Sequence, residues 1–269
     1  MNVALLSHQV CEKSLQTLKY FSNHGQEISL VLIETGRRKN YSDRERQFRE
    51  VHDRYNRKYK KYPWYRRAAR WFWNFIPRFF QEIIENNVNI IPILRQFSVE
   101  YNAKKYGVPI EKVKRHSSRF SIEYLQQHNI KYALLMSSNW LIKESLLSVR
   151  DLSIINVHPG YLPKHKGLDS LPWSILEDDP IGLTAYILDE GIDTGPILEF
   201  RPIEIEAGDT IGSLQRRMMK QIPEFLLSVL RKLEKGEITP NPQPKGGEVH
   251  RPMTLNELEQ AELYLQSKN

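Results

Sequence analysis

The chain has 269 residues, 40% of them hydrophobic and 26% charged, with a single cysteine and a formal net charge of +7. That length suits one large domain or two small ones, and ordinary apolar and aromatic content excludes disorder as the main state. Cys11 has no partner for a disulfide, no run nears 18 consecutive apolar residues, and no signal-peptide pattern opens the chain, so a reducing cytoplasm is the expected compartment.

Asn2–Leu6 reads as a buried strand, and Gln9–Phe21 carries apolar residues at Cys11, Leu15, Leu18 and Phe21, which suits an amphipathic helix. Asn23-His24-Gly25 breaks that helix, and Glu27–Ile33 reads as a second buried strand. This is β-α-β in 33 residues, the opening of a parallel α/β sheet. A foreign segment interrupts next. Residues 37–80 hold 15 Lys/Arg against 4 Asp/Glu, a local +11 that leaves the remainder at −4, and they hold 13 of the 28 aromatics.

The α/β rhythm then resumes. Phe97–Tyr106 is expected to be helical and to end at Gly107-Val108-Pro109; a strand is expected near Lys112–Lys114, a helix over Ser121–His128 and a strand over Lys131–Met136. Ser137-Ser138-Asn139 is a loop, Ile142–Leu147 a short helix, and Ser153–His158 a strand ended by Pro159-Gly160. Leu183–Leu188 is a further strand. Thr210–Lys235 is mostly helical with Pro223 as a break or kink, and Thr254 with Glu257 forms a capping box for a last helix through Gln266.

Asn156 and His158, two apart on a strand, share one face at the strand's C-terminal end, where parallel sheets place their ligand clefts. Alone, this pair is a weak signal. The longer pattern is more specific. It runs Asn156-Val-His158-Pro159-Gly-Tyr-Leu162-Pro163-Lys-His-Lys-Gly167, followed by the Gly-rich turn Asp189-Glu-Gly191-Ile-Asp193-Thr-Gly195. Together these resemble the folate-dependent formyltransferase family, which includes the methionyl-tRNA, glycinamide ribonucleotide and amino-sugar formyltransferases. Trp173–Leu198 resembles the family as well. The resemblance is specific over 131–200, looser over 1–33 and 96–130, and absent over 37–95.

The resemblance implies an α/β, Rossmann-like formyltransferase fold: a mostly parallel twisted sheet with helices on both faces. To this it adds a helical aromatic-basic insert and a short, mainly helical C-terminal extension. The expected division is a catalytic domain over 1–200, with the insert at 37–95, and the extension over 201–269. It further implies transfer of a formyl group from N10-formyltetrahydrofolate to a primary amine, with Asn156, His158 and Asp193 as the catalytic set. Asn156 and a protonated His158 are expected to donate to the developing oxyanion, with Asp193 orienting the ring. The folate is expected on the loop Ser138, Asn139, Trp140, Leu141, Ile142 and on Asp189, Glu190, Gly191, Ile192; Trp140 is weighed between packing on the pterin and serving in the core. The glycine that the family often carries near Asn139 is missing. No metal is expected, since the eight histidines and one cysteine show no ligand spacing along the chain.

The acceptor is less legible. Ser7-His8-Gln9 follows the first strand where the glycinamide ribonucleotide enzymes carry a glycine-rich phosphate loop. The 71 residues after Leu198 are expected to be too few and too helical for the tRNA enzymes' C-terminal barrel. An amino-sugar nucleotide or similar small amine is the resulting expectation, with a methionyl-tRNA-type enzyme and a non-catalytic binding protein as alternatives. Three readings of residues 37–80 stay open: a packed helical subdomain, a peripheral contact with an anionic membrane surface on its inner face, and a grip on tRNA phosphates.

Overall fold

In the computed structural model, residues 1–36, 95–138 and 140–268 are described. Nearly all of the basic aromatic insert, and Asn139, lie outside them, so the expectations for those residues rest on sequence alone.

Seven strands form one sheet in the order β3-β2-β1-β4-β5-β7-β8. The strands are β1 (Val3–His8), β2 (Leu30–Glu34), β3 (Ile110–Val113), β4 (Tyr132–Leu135), β5 (Ser153–His158), β7 (Gly182–Ile187) and β8 (Ile197–Pro202). The first five run parallel, and β7 and β8 turn antiparallel at one edge. Among the described residues the α-helices are α1 (Glu12–Asn23), α2 (Val99–Lys105), α3 (Arg119–Gln127), α4 (Glu144–Leu147), α5 (Ser170–Leu176), α6 (Ile211–Lys235) and α7 (Leu255–Ser267). A second, two-stranded parallel sheet pairs β6 (His165–Gly167) with β9 (Glu248–His250). Among the described residues no helix is long and apolar enough to cross a membrane.

Strand alternation sorts the core into two layers. Val3, Leu5, Val31, Ile33, Leu134, Ile155 and Val157 face a large cluster with Leu18 and Phe21 of α1 and with Leu214, Phe225, Leu226 and Leu230 of α6. Ala4, Leu6, Leu30, Leu32, Ala133 and Ile154 face the other side, under Leu125 of α3 and Leu146 of α4. The central strands are buried on both faces, which is why β1 and β2 read as unbroken apolar runs. Each fully buried Leu or Phe here contributes about 1.5–3 kcal/mol.

Sequence and structure differ in places. Helix α6 runs unbroken through Pro223, which is itself buried; its ring forfeits one backbone hydrogen bond, and the flanking Ile222, Phe225 and Leu226 are packed into the core. Strands β6, β8 and β9 and helix α5 were not foreseen as elements. Strands β6 and β9 have three residues each, too short to show a period. Residues beyond 200 enter the same core as the sheet, through α6 and through Leu258, Ala261 and Leu265 of α7. The capping box of Thr254 with Glu257 forms as expected, and Thr210 with Ser213 forms a second at the start of α6.

Candidate active site

Asn156 and His158 lie on the same side of β5 as Ile154, whose side chain belongs to the smaller core layer. Strand β7 pairs with β5 in the register Asn156↔Tyr186 and His158↔Thr184, so Tyr186 stands directly across from Asn156. The Asn156 amide donates to the Tyr186 hydroxyl at 3.0 Å, and that hydroxyl donates to Asp193 Oδ1 at 2.6 Å. Asp193 Oδ2 accepts the Gly167 N–H at 2.8 Å and lies 3.5 Å from His158 Nδ1. The three expected residues therefore converge, and a fourth, Tyr186, links Asn156 to Asp193.

The turn after β5 is built to hold the histidine. Thr184 Oγ1 donates to the Gly160 carbonyl at 2.6 Å and accepts the Leu162 N–H at 3.3 Å. A Cβ on Gly160 would meet Ser170 Cβ at 2.6 Å and His158 Nε2 at 2.9 Å, so the glycine permits the close approach. His158 Nε2 lies 2.7 Å from the His165 carbonyl, and because a carbonyl only accepts, that nitrogen carries hydrogen. Both ring nitrogens thus face acceptors. Burial pushes the His158 pKa below its usual value, with Asp193 pulling in the opposite direction. Asp193 stands beside the ring as expected, while burial opposes the ring's charge and the His165 carbonyl already holds its Nε2 hydrogen. Burial, reinforced by the Asp193 charge, also pushes the Tyr186 phenol far up, so it stays a donor.

The loop carrying Asp193 has its own braces. Asp189 Oδ1 accepts from the Gly191 N–H at 3.1 Å and from Thr194 Oγ1 at 2.7 Å. Gln243, in the chain after α6, donates to the main-chain carbonyls of Asp193 and Gly195 at 3.0 and 2.7 Å. Glu190 and Ile192 point into solvent.

The other expected folate loop leaves β4. Ser138 Oγ sits 2.8 Å from the Trp140 carbonyl and 3.3 Å from Glu34 Oε2, and Leu141 is 83% exposed. Ile142 and Leu188 both pack against the smaller core layer, so the two loops leave the same side of the sheet. Trp140, the ring weighed between the pterin and the core, meets the Arg115 guanidinium 4.0 Å from its ring centre in a cation–π contact. The main-chain groups of Leu141, Ile142, Glu190 and Ile192 form no hydrogen bond among the described residues. Such open groups fit a heterocycle rich in donors and acceptors.

A polar cluster closes the C-terminal ends of β1 and β2. His8 Nε2 lies 3.2 Å from Glu34 Oε2, and Glu34 Oε1 accepts the His116 N–H at 3.2 Å. The His116 side chain is buried with Nε2 3.2 Å from the Ser137 carbonyl, and burial pushes its pKa down to about 4. Sequence reasoning missed Glu34, His116 and Tyr186. A carboxylate ending an otherwise apolar strand was a usable signal for Glu34.

With this geometry in hand, likeness to known proteins is informative. The formyl transferase family model matches residues 97–230. Those residues belong to the formyl transferase family. Methionyl-tRNA formyltransferase of Thermodesulfovibrio yellowstonii is 30% identical over 142 residues, 52% of this chain and 46% of that protein. Methionyl-tRNA formyltransferase of Kosmotoga olearia is 24% identical over 198 residues, 68% of this chain and 64% of that protein. The chain spans about half the length of most of the curated formyltransferases it matches. Among solved structures, phosphoribosylglycinamide formyltransferase from Anaplasma phagocytophilum superposes with a TM-score of 0.56 at 18% identity, over 93% of this chain and 97% of that one. A sugar N-formyltransferase from Shewanella sp FDAARGOS_354 gives 0.51 at 16% identity, over 92% and 75%. Both share the formyltransferase fold with this chain.

Proposed function

We propose that this chain transfers a formyl group from N10-formyltetrahydrofolate to a primary amine. The observation that carries the reading is the hydrogen-bonded run Asn156–Tyr186–Asp193, with His158 beside Asp193. The donor supplies an activated formyl carbon, whose oxygen gains negative charge as the amine attacks. Asn156 has two amide hydrogens, and Tyr186 takes one, which fixes the amide plane and leaves the other for that oxygen. An oriented donor of this kind is worth about 3–4 kcal/mol. His158 Nε2 can join only if the substrate oxygen competes with the His165 carbonyl for its hydrogen. The Asp193–His158 pair stands ready to accept the proton that the amine must lose. Leu141, Ile142, Glu190 and Ile192 offer main-chain groups to the folate.

For the acceptor, we favour a small amine such as that of an amino-sugar nucleotide. The carboxylate of Glu34 stands near the end of β1 and no glycine follows that strand, which counts against glycinamide ribonucleotide, whose enzymes hold a phosphate at that place. A second reading, methionyl-tRNA, is favoured by the names of the relatives and by the +11 charge of residues 37–80. The test is amine-dependent release of tetrahydrofolate by the purified chain, run in parallel with a nucleotide-linked 4-amino sugar and with methionyl-tRNA. His158→Ala and Asn156→Ala should each cut turnover by about a hundredfold or more. Release that neither amine accelerates would refute the transferase reading and make the chain a hydrolase of the formyl donor, and no release with either would leave a binding protein.

A further inference from the structure

We propose that His165, His250 and Glu177 form a binding site for one divalent transition-metal ion, zinc being the best match. The site lies where β6 and β9 pair, beside the catalytic loop, and it does not depend on the formyltransferase reading. One potential ligand atom from each residue falls within 4.8 Å of the other two. His165 Nδ1 and His250 Nε2 stand 3.0 Å apart, close to the spacing of two nitrogens on one tetrahedral ion. Both histidines are buried, whereas Glu177 sits at the solvent edge.

In the structure the two rings share a hydrogen bond, which the ion would replace, and their surroundings hold both rings in place for it. His165 Nε2 lies 2.8 Å from Asp179 Oδ2, and a carboxylate requires hydrogen on that nitrogen. In the neutral ring this leaves a lone pair on Nδ1, aimed at His250. A carboxylate behind the ring is the arrangement by which metal-binding histidines are held in tautomer and orientation. His250 is fixed in turn by stacking on Trp173, with ring centres 4.8 Å apart and planes 14° from parallel. When its hydrogen moves to Nδ1, its Nε2 presents a second lone pair toward His165 Nδ1, and a small swing of the two rings lets both meet one ion. Glu177 closes the set from the end of α5. The competing cation is Lys164, which holds Asp179 at 2.6 Å but approaches Glu177 no closer than 3.9 Å, so the Glu177 carboxylate is not committed to it. Two histidines and one carboxylate suit zinc and leave its fourth position to water.

The sequence could not display this site, because its two histidines are 85 residues apart. Its position gives it a consequence. The His165 carbonyl holds His158 Nε2, and a Cβ on Gly167 would lie 2.6 Å from the His250 carbonyl, so β6, β9 and the catalytic ring are packed as one block. An ion at the junction would tie residues 248–250 to that block.

The experiment uses the full chain without a histidine tag, stripped by chelator and titrated with Zn²⁺ against a chromophoric competitor, with Co²⁺ spectra reporting coordination. The expected result is one equivalent bound, a tetrahedral Co²⁺ spectrum and a raised melting temperature. His250→Ala and Glu177→Gln should each weaken Zn²⁺ by at least about tenfold. Glu177→Gln sits at the surface and guards against a folding artefact, with circular dichroism checking both variants. Failure to bind Zn²⁺, or binding that either variant leaves at full strength, overturns the site.

Discussion

Replacing Tyr186 by Phe tests whether the link between Asn156 and Asp193 matters. The ring is almost fully buried, and Phe keeps its volume, so the change removes one hydroxyl and little packing. That hydroxyl donates to the Asp193 carboxylate at 2.6 Å and accepts from the Asn156 amide at 3.0 Å. A hydrogen bond to a charged group contributes about 1.5–3 kcal/mol, and its loss leaves Asp193 Oδ1 without a donor. If half or more of that loss appears in the transition state, at about 1.4 kcal/mol per factor of ten, kcat should fall roughly 3- to 140-fold. KM for the folate should move less than kcat, because Thr194 and Gln243 still brace the loop that carries Asp193. The assay is steady-state formyl transfer by Tyr186→Phe, paired with urea denaturation. A merely structural role would lower stability and leave kcat unchanged. A variant with normal kcat would refute Tyr186 as a positioning residue, and one altered only in KM would place it in binding instead.

Two further outcomes are expected. The His116 pKa is lowered by burial to about 4, while the unfolded chain protonates near 6.5, so the unfolded state takes up more protons between these values. Stability from this group is complete above pH 6.5 and falls by up to about 3 kcal/mol as pH drops to 4; urea denaturation of His116→Gln should show a correspondingly shallower pH slope than the parent, and parallel slopes would refute it. Gly160→Ala should push its new Cβ against Ser170 Cβ and His158 Nε2, at 2.6 and 2.9 Å, costing about 1–3 kcal/mol by thermal melt and displacing the ring, with turnover lost more than folate binding.

The parallel half of the fold was legible because buried strands leave long apolar runs, as in Leu30–Ile33, and because Gly25 and Gly107 end helices at positive φ. The candidate catalytic residues were legible for a different reason: Asn156 and His158 sit two apart on one strand, so their spacing survives in the sequence. Tyr186 was not, because it looks like one more aromatic in a buried strand until the antiparallel register sets it opposite Asn156. The junction of His165 with His250 is hidden further still, since it depends on a three-residue parallel pairing that closes an 85-residue loop. Trp140 shows the converse: read alone it leaves an aromatic platform and a core residue both open, and only the fold shows Arg115 standing against its ring.

The change of strand direction in the sheet explains why these residues meet. Parallel strands β1, β4 and β5 all end on one side, so a site built only on their ends would draw on loops alone. Because β7 runs antiparallel to β5, its side chains lie opposite those of β5 along the strand, which puts Tyr186 in register with Asn156. The turn out of β7 then brings Asp193 back over the same pair, within 2.6 Å of the Tyr186 hydroxyl. His158 is left between two acceptors, the Asp193 carboxylate and the His165 carbonyl, in a buried setting that opposes its charge. A ring with both hydrogens satisfies both acceptors, whereas a neutral ring leaves one of them short of a donor. Burial and hydrogen bonding therefore pull its protonation in opposite directions, and burial, the larger effect, holds the pKa below its usual value. The His165 carbonyl that holds Nε2 lies on β6, so the setting of His158 on β5 rests on a pairing made by residues 248–250, far along the chain.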